Sequence, residues 1–360
     1  MARRQPMLEW RRRREPSLLM LGLSPVIAIG LTMLIGMIVF TAMGYDGFHA
    51  VGSIFLTPFL EPQRWGDIGV KGAPLVMIAL GLAIGFRANV WNIGAEGQYV
   101  MGAIAGTGVA LLTYDMTGWW ILPAMVLAGI LGGMAWAAIP AFLRVKLQVS
   151  EILTSLMLTY VAVQLLYFLV RGPWKDPGGF NFPQTRMFTA DQTLPTVLEG
   201  TLVHLGIPAA LVLAIIAWLL MEKTTAGYAI KVVGLAPAAA RHGGFSAART
   251  TWATMLISGA LAGLAGLFEA AGPFGQLTPQ FPVGYGFTAI IVAFLGRLNP
   301  LGIVFGGIVL AGTYVGGEIA QSTVRLPQAA TGLFQATLLF MLLATDVLVR
   351  WRIGFKRRAA

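Results

Sequence analysis

The sequence predicts an all-α polytopic membrane protein with about ten transmembrane helices and both termini in the cytoplasm. Three observations lead there. Hydrophobic residues make up 57% of the 360-residue chain and charged residues 11%, less than half the quarter or so that soluble proteins carry. The sparse charges cut the chain into uncharged runs near the ~20 residues a spanning helix needs. Lysine and arginine then fall mostly on one side, as the positive-inside bias demands.

Residues 1–16 are basic, with Arg11 to Arg14 in succession, and read as a cytoplasmic N-terminus. The uncharged run from Pro16 to Tyr45 is too long for a signal-peptide core, and no small-residue cleavage site follows it. It reads as the first spanning helix. Further runs lie at 72–86, 97–114, 116–143, 152–170, 200–221, 250–268, 270–296, 298–317 and 326–345. The run at 72–86 is either short or extended by residues 66–71. Residues 17–350 form one transmembrane domain with an external loop at 171–199 and a cytoplasmic loop at 222–249. Residues 351–360 are a basic tail. Alternating the spans from an internal N-terminus places 19 of the 25 lysines and arginines inside. Arg64, Lys71, Arg171, Lys175, Arg186 and Arg325 are left outside. Shifting the count by one would expose a basic terminus.

The net charge of +10 therefore reflects topology, and no nucleic-acid surface is expected. No cysteine is present, which excludes disulfides and thiol chemistry. His49, His204 and His242 lack metal-ligand spacing. No Gly-x-Ser-x-Gly elbow occurs, and no glycine precedes a lysine, so no phosphate-cradling loop is encoded. Neither an enzyme nor a bound cofactor or metal is expected, and ATP hydrolysis would have to come from another subunit.

Two polar stretches stand out. In residues 87–103, Arg87, Asn89, Asn92, Glu96 and Gln98 crowd between long apolar runs, with Gly94 and Gly97 among them. Unsatisfied polar groups cost several kcal/mol each in hydrocarbon. The stretch is therefore a surface loop or a broken helix lining a cavity, the arrangement in which transporters hold substrate. Asn92, Glu96 and Gln98 are the candidate substrate-pathway residues, with Asn92 and Glu96 on one face if helical. The plainer reading makes Asn92 an N-cap and places Glu96 at the positive end of its own helix. The glycines permit a backbone departure there. In the loop 222–249, Pro237 followed by three alanines, Arg241 and the Gly243-Gly244 pair reads as a short surface helix, suited to docking a motor subunit.

Glu269 and Glu318 interrupt apolar runs. An ion-coupled carrier would use such acids as relays; the plainer reading puts both at outer helix ends in contact with water. Asp346, near an inner end, is positioned to pair with Arg350. The spacings Gly259-x-x-x-Gly263, Gly302-x-x-x-Gly306 and Gly312-x-x-x-Gly316 read as close helix packing within the chain.

Asn92-Ile-Gly-Ala-Glu-Gly-Gln98 followed by Met101-Gly-Ala103 resembles the signature of permease subunits of bacterial ABC importers of the branched-chain amino acid, ribose and nucleoside branch. The run Thr225 to Gly234, followed by Pro237, Ala239, Ala240 and Gly244, resembles that family's cytoplasmic loop before the helix opening at Ser258. Here Ala236 stands where the family has Asn, and Lys231 where it has Arg. The chain is most similar to the longer permease of nucleoside systems. The resemblance implies a multi-pass protein of the cytoplasmic (inner) membrane that imports nucleosides, with a simple sugar, branched-chain amino acid or vitamin as alternatives. It implies ATP-binding cassette ATPase subunits, a second permease, an external substrate-binding lipoprotein and the lipid bilayer as partners. It also implies ATPase coupling through Gly234, Pro237, Ala239, Arg241 and Gly244.

Overall fold

Helices begin where a short polar side chain precedes an apolar run. Ser17 accepts the Met20 N–H at 3.4 Å, Asp46 that of His49 at 3.0 Å, Thr224 that of Gly227 at 3.1 Å and Ser246 that of Arg249 at 3.3 Å. Each satisfies one of the backbone donors that a helix start leaves open. The computed structural model describes residues 8–12, 17–197 and 200–355. In order, the helices are α1 (Leu18–Ala42), α2 (Gly47–Phe55), α3 (Thr57–Leu60), α4 (Trp65–Arg87), α5 (Ala95–Leu112), α6 (Ile121–Leu147), α7 (Glu151–Arg171), α8 (Gly206–Lys223), α9 (Thr225–Leu235), α10 (Pro237–His242), α11 (Ala247–Glu269), α12 (Tyr285–Leu295), α13 (Pro300–Thr323) and α14 (Gln328–Arg350). Strands β1 (Leu8–Arg12) and β2 (Trp351–Phe355) pair antiparallel, Leu8 opposite Phe355 and Arg12 opposite Trp351. The sequence reading contains no strand.

Among the described residues, eight helices are long and apolar enough to cross a membrane: those within residues 22–42, 62–87, 121–147, 151–171, 206–223, 247–274, 300–323 and 328–349. The short run at 72–86 is extended at its start, as one of its two readings has it. The run 270–296 does not form the spanning helix expected of it. It breaks into a π-helical turn at Ala270–Phe274, an irregular connection and the 11-residue α12, which is too short to span. Pro273 and the left-handed glycines Gly275 (φ 64°) and Gly284 (φ 86°) break it, the latter two in a conformation that favours glycine.

The chain divides into two compact units, Met1–Leu60 with Gly316–Ala360, and Glu61–Val315. In the first, Phe334 of α14 stacks on Phe40 at 6.4 Å and meets Phe55 at 5.0 Å, within a core that includes Ala50, Val51 and Ile54. The Ser17 N–H donates to the Val349 carbonyl at 3.2 Å, and Thr345 Oγ1 to that of Ser24 at 3.1 Å. These bonds hold the start of α1 to the end of α14. Asp346 is half-buried, while the Arg350 side chain expected to pair with it lies outside the described residues. Glu318 is exposed.

In the second unit α4 is the central helix: 89% of its apolar window is buried, against 22% for α7 and 28% for α6 and α8. The α5, α6 and α11 helices cross through glycine. A β-carbon on Gly102 of α5 would overlap the Gly263 backbone of α11, and one on Gly133 of α6 would overlap Gly259 and Gly263. The packing reading of the Gly259 and Gly263 pair is borne out. Absent side chains let these backbones touch, which is how helices associate where lipid removes any hydrophobic drive.

Candidate functional site

The polar stretch begins where α4 ends. Asn89 adopts the left-handed conformation (φ 56°), which Asn tolerates, and the Val90 N–H turns back to the Gly85 carbonyl at 2.9 Å. The chain then runs without regular structure to α5, and α7 takes its donors. The Trp91 N–H donates to Glu151 Oε1 at 3.2 Å and the Ile93 N–H to Ser155 Oγ at 3.2 Å. Arg144 holds the Glu151 carboxylate and reaches the Asn89 carbonyl at 3.3 Å. Side chains thus satisfy backbone groups that no helix ladder reaches.

Asn92 is 1% exposed and Gln98 1%. Their amides pair reciprocally: Asn92 Nδ2 donates to Gln98 Oε1 at 2.8 Å, and Gln98 Nε2 to Asn92 Oδ1 at 3.0 Å. Asn92 Nδ2 also donates to Ser258 Oγ of α11 at 2.9 Å, and Asn92 Oδ1 accepts the Gly94 N–H at 3.2 Å. Asn92 is therefore not the N-cap of α5. That position belongs to Gly94, and Asn92 braces the turn against α11. The glycines also act differently from the expectation. A β-carbon on Gly94 would overlap the Ser155 backbone, and one on Gly97 would press on Thr159, so they let α7 approach.

Glu96 is 2% exposed and faces away from Asn92 and Gln98. Its Oε1 accepts the Gly284 N–H at 2.9 Å and its Oε2 the Gly286 N–H at 2.5 Å. The carboxylate therefore caps the positive end of α12 through charge-assisted bonds to open donors, while Glu96 itself stands in the first turn of α5, at the positive end of its own helix as the plainer reading has it. At the other end of α12, Phe294 stacks with Phe86 at 5.5 Å and with Trp91 at 6.2 Å. The half-helix is held at both ends by the same polar stretch.

At the same end of α4, Glu222 of α8 takes Arg87 at 2.9 Å and Lys231 of α9 at 2.8 Å. Gly234 lies so close to the Arg87 carbonyl that a β-carbon would overlap it. Helix α9, unforeseen in the sequence, is thereby seated on the start of the polar turn. Helix α10 follows with Pro237 at its first position and ends before Gly243, matching the expected short helix. Pro237, Ala238, Arg241, Gly244 and Phe245 line a shallow hollow. Ala239 and Arg241 are exposed, Ala240 is buried, and Leu235 beside them is 86% exposed. Of the five expected coupling residues, Pro237, Arg241 and Gly244 meet at the hollow, while Gly234 faces α4.

Glu269 departs from its expected place at the water interface: it is 4% exposed. The residues the sequence reading missed are Glu151, Ser155 and Ser258, whose signal is polarity inside otherwise apolar helices.

Residues 65–343 match the family described as branched-chain amino acid transport system, permease component. A glucose ABC transporter permease of Haloferax volcanii is 35% identical over 96% of this chain and 94% of its own. A nucleoside ABC transporter permease of Lactococcus lactis is 29% identical over 80% of this chain and 82% of its own, and a second nucleoside permease of that strain matches at 27%. A guanosine ABC transporter permease of Bacillus subtilis is 27% identical over 94% of this chain and 97% of its own.

Proposed function

This chain belongs to the family of permease components of branched-chain amino acid transport systems, and from that premise we propose that it carries a nucleoside, or alternatively a simple sugar, inward across the cytoplasmic membrane. It is an ABC transporter permease, a multi-pass membrane subunit whose work is conformational, not covalent. The substrate reading rests on relatives named for glucose, guanosine and nucleosides, all neutral solutes with a hydroxylated ring or sugar. Two nucleoside permeases from one Lactococcus strain both resemble the chain, which favours a heterodimer with a second permease. An external binding protein delivers the solute, and cytoplasmic ATPases supply the energy. Both termini lie on the ATPase side in this reading.

The observation that carries the coupling reading is the seating of α9 on Arg87. An ATPase gripping the exposed α10 would pull α9, and α9 bears on the turn whose side chains cap α12. ATP binding then shifts the population between two arrangements of that chain of contacts. The test is uptake of radiolabelled guanosine and glucose into proteoliposomes holding both permeases and the ATPases, with binding protein supplied. Uptake requires ATP in the unaltered complex, and the lone chain hydrolyses none. Gly234→Leu, which forces α9 off the Arg87 carbonyl, lowers uptake at least about tenfold (about 1.4 kcal/mol of coupling) with normal membrane insertion. Full uptake by this variant would sink the coupling reading.

A further inference from the structure

Within the Glu61–Val315 unit two polar side chains are buried with no hydrogen-bond partner among the described residues. The Tyr99 side chain of α5 is 0% exposed, and its hydroxyl finds no partner among the described residues. Glu269, at the end of α11, is 4% exposed. Its carboxyl makes no hydrogen bond or close ion pair among the described residues, although Lys71 of α4 is within electrostatic reach. The Tyr99 hydroxyl and Glu269 are themselves within electrostatic reach of each other. Gly266, one turn before Glu269, lies against the Tyr99 carbonyl, so the two helices present both groups to one region.

Aromatic rings bound that region. Phe281 stacks on Tyr99 at 5.0 Å with 14° between planes, and Tyr285 meets Tyr99 edge-on at 6.1 Å. Phe274 meets Phe281 at 5.3 Å, and Tyr314 meets Tyr285 at 5.4 Å. The segment carrying Phe281 is flanked by the left-handed Gly275 and Gly284.

A buried polar group without a partner is rare in native proteins, and each one calls for a ligand, an ordered water or a chemical role to account for it. Packing alone would be served by Phe and Leu here. No group of three or more His, Cys, Asp or Glu side chains gathers there among the described residues, which makes a poor metal site, because hard cations take six or more oxygens. The pair does match one ligand chemistry. A carboxyl group bonds two hydroxyls at once, a phenol donates or accepts a third bond, and aromatic faces cover the apolar side of a ring.

We infer that Tyr99 and Glu269 form a station for vicinal hydroxyls of the passing solute, the ribose of a nucleoside or the diol of a simple sugar, with the ring on the face that Phe281 now covers. This deepens the substrate reading above and rests on it.

The test compares guanosine with 2′-deoxyguanosine and 3′-deoxyguanosine, and glucose with 2-deoxyglucose, in the complete reconstituted importer. Binding protein is saturated with each compound so that the permease step is read. The unaltered importer carries the full hydroxyl set about tenfold faster than the deoxy compound, as one lost buried hydrogen bond implies. Tyr99→Phe and Glu269→Gln bring that ratio towards one. Wild-type ratios in both variants, or no discrimination by the unaltered importer, would overturn the inference while leaving guanosine or glucose transport standing. No uptake of guanosine or glucose by the unaltered importer would overturn the substrate reading and this inference with it. If one variant fails to assemble, the other decides. If neither assembles, the pair is structural and the inference is lost.

Discussion

Where α6 crosses α11, Gly133 lies against Gly259 and Gly263 with backbone touching backbone. Where α12 begins, two backbone donors reach across a connection to the Glu96 carboxylate. The first contact consists of many weak dispersion terms, each lost as soon as the helices part. The second consists of a few directional bonds that can break and re-form as a unit. A transporter needs both kinds: a frame with one arrangement and a part with two. In the coupling reading proposed above, α5, α6 and α11 serve as the frame and α12 with the polar turn as the movable part.

The largest effect falls on the frame. Gly263→Leu puts a side chain into the backbone of α6 at Gly129 and Gly133. Overpacking alone costs ~1–3 kcal/mol, and here no flexible side chain can yield. The variant loses its folded form in detergent, read as collapsed yield and no cooperative melting. A normal melting temperature would erase the distinction between frame and moving part.

A smaller loss follows from Glu96→Ala. Two N–H groups at the start of α12 lose their acceptor, at about 1–3 kcal/mol each for a buried unsatisfied group. Thermal melting falls by several degrees while the fold survives, and uptake falls further than stability does. Equal losses in both would make Glu96 a brace and nothing more. Glu222→Gln marks the weak end of the scale. The Glu222 side chain is 32% exposed and its partners Arg87 and Lys231 are 17% and 35% exposed. Partly exposed pairs contribute about 0–1 kcal/mol, so the melting temperature barely moves. A drop as large as that of Glu96→Ala would show that α9 is seated by charge and not by the Gly234 contact.

The spans were legible in sequence because lipid excludes charge, so gaps between charges mark helices directly. The same rule hid α12. Residues 270–296 hold no charge, yet Pro273, Gly275, Pro279, Pro282, Gly284 and Gly286 are turn signals that a count of charges ignores. The inward burial of Asn92, Glu96 and Gln98 follows from polarity alone. Their partners do not: Ser258, Gly284 and Gly286 lie 166 to 190 residues away, and only the tertiary fold brings them together. The same holds for β1 and β2, and for Glu269, whose burial depends on the α5 and α4 neighbours.

The meeting of the two chain ends bears on how the protein is made. Helix α1 leaves the ribosome well before α14, yet the Phe40, Phe55 and Phe334 cluster and the bond from Ser17 to Val349 need both. During synthesis α1 must therefore wait in the bilayer with an apolar face turned to lipid. The Glu61–Val315 unit, continuous in sequence, holds its own partners and packs as it emerges. Synthesis of α14 is thus the event that closes the unit holding α1 and α14. A chain truncated before α14 would insert and pack its middle, yet leave its first helix open to the quality-control proteases of the membrane.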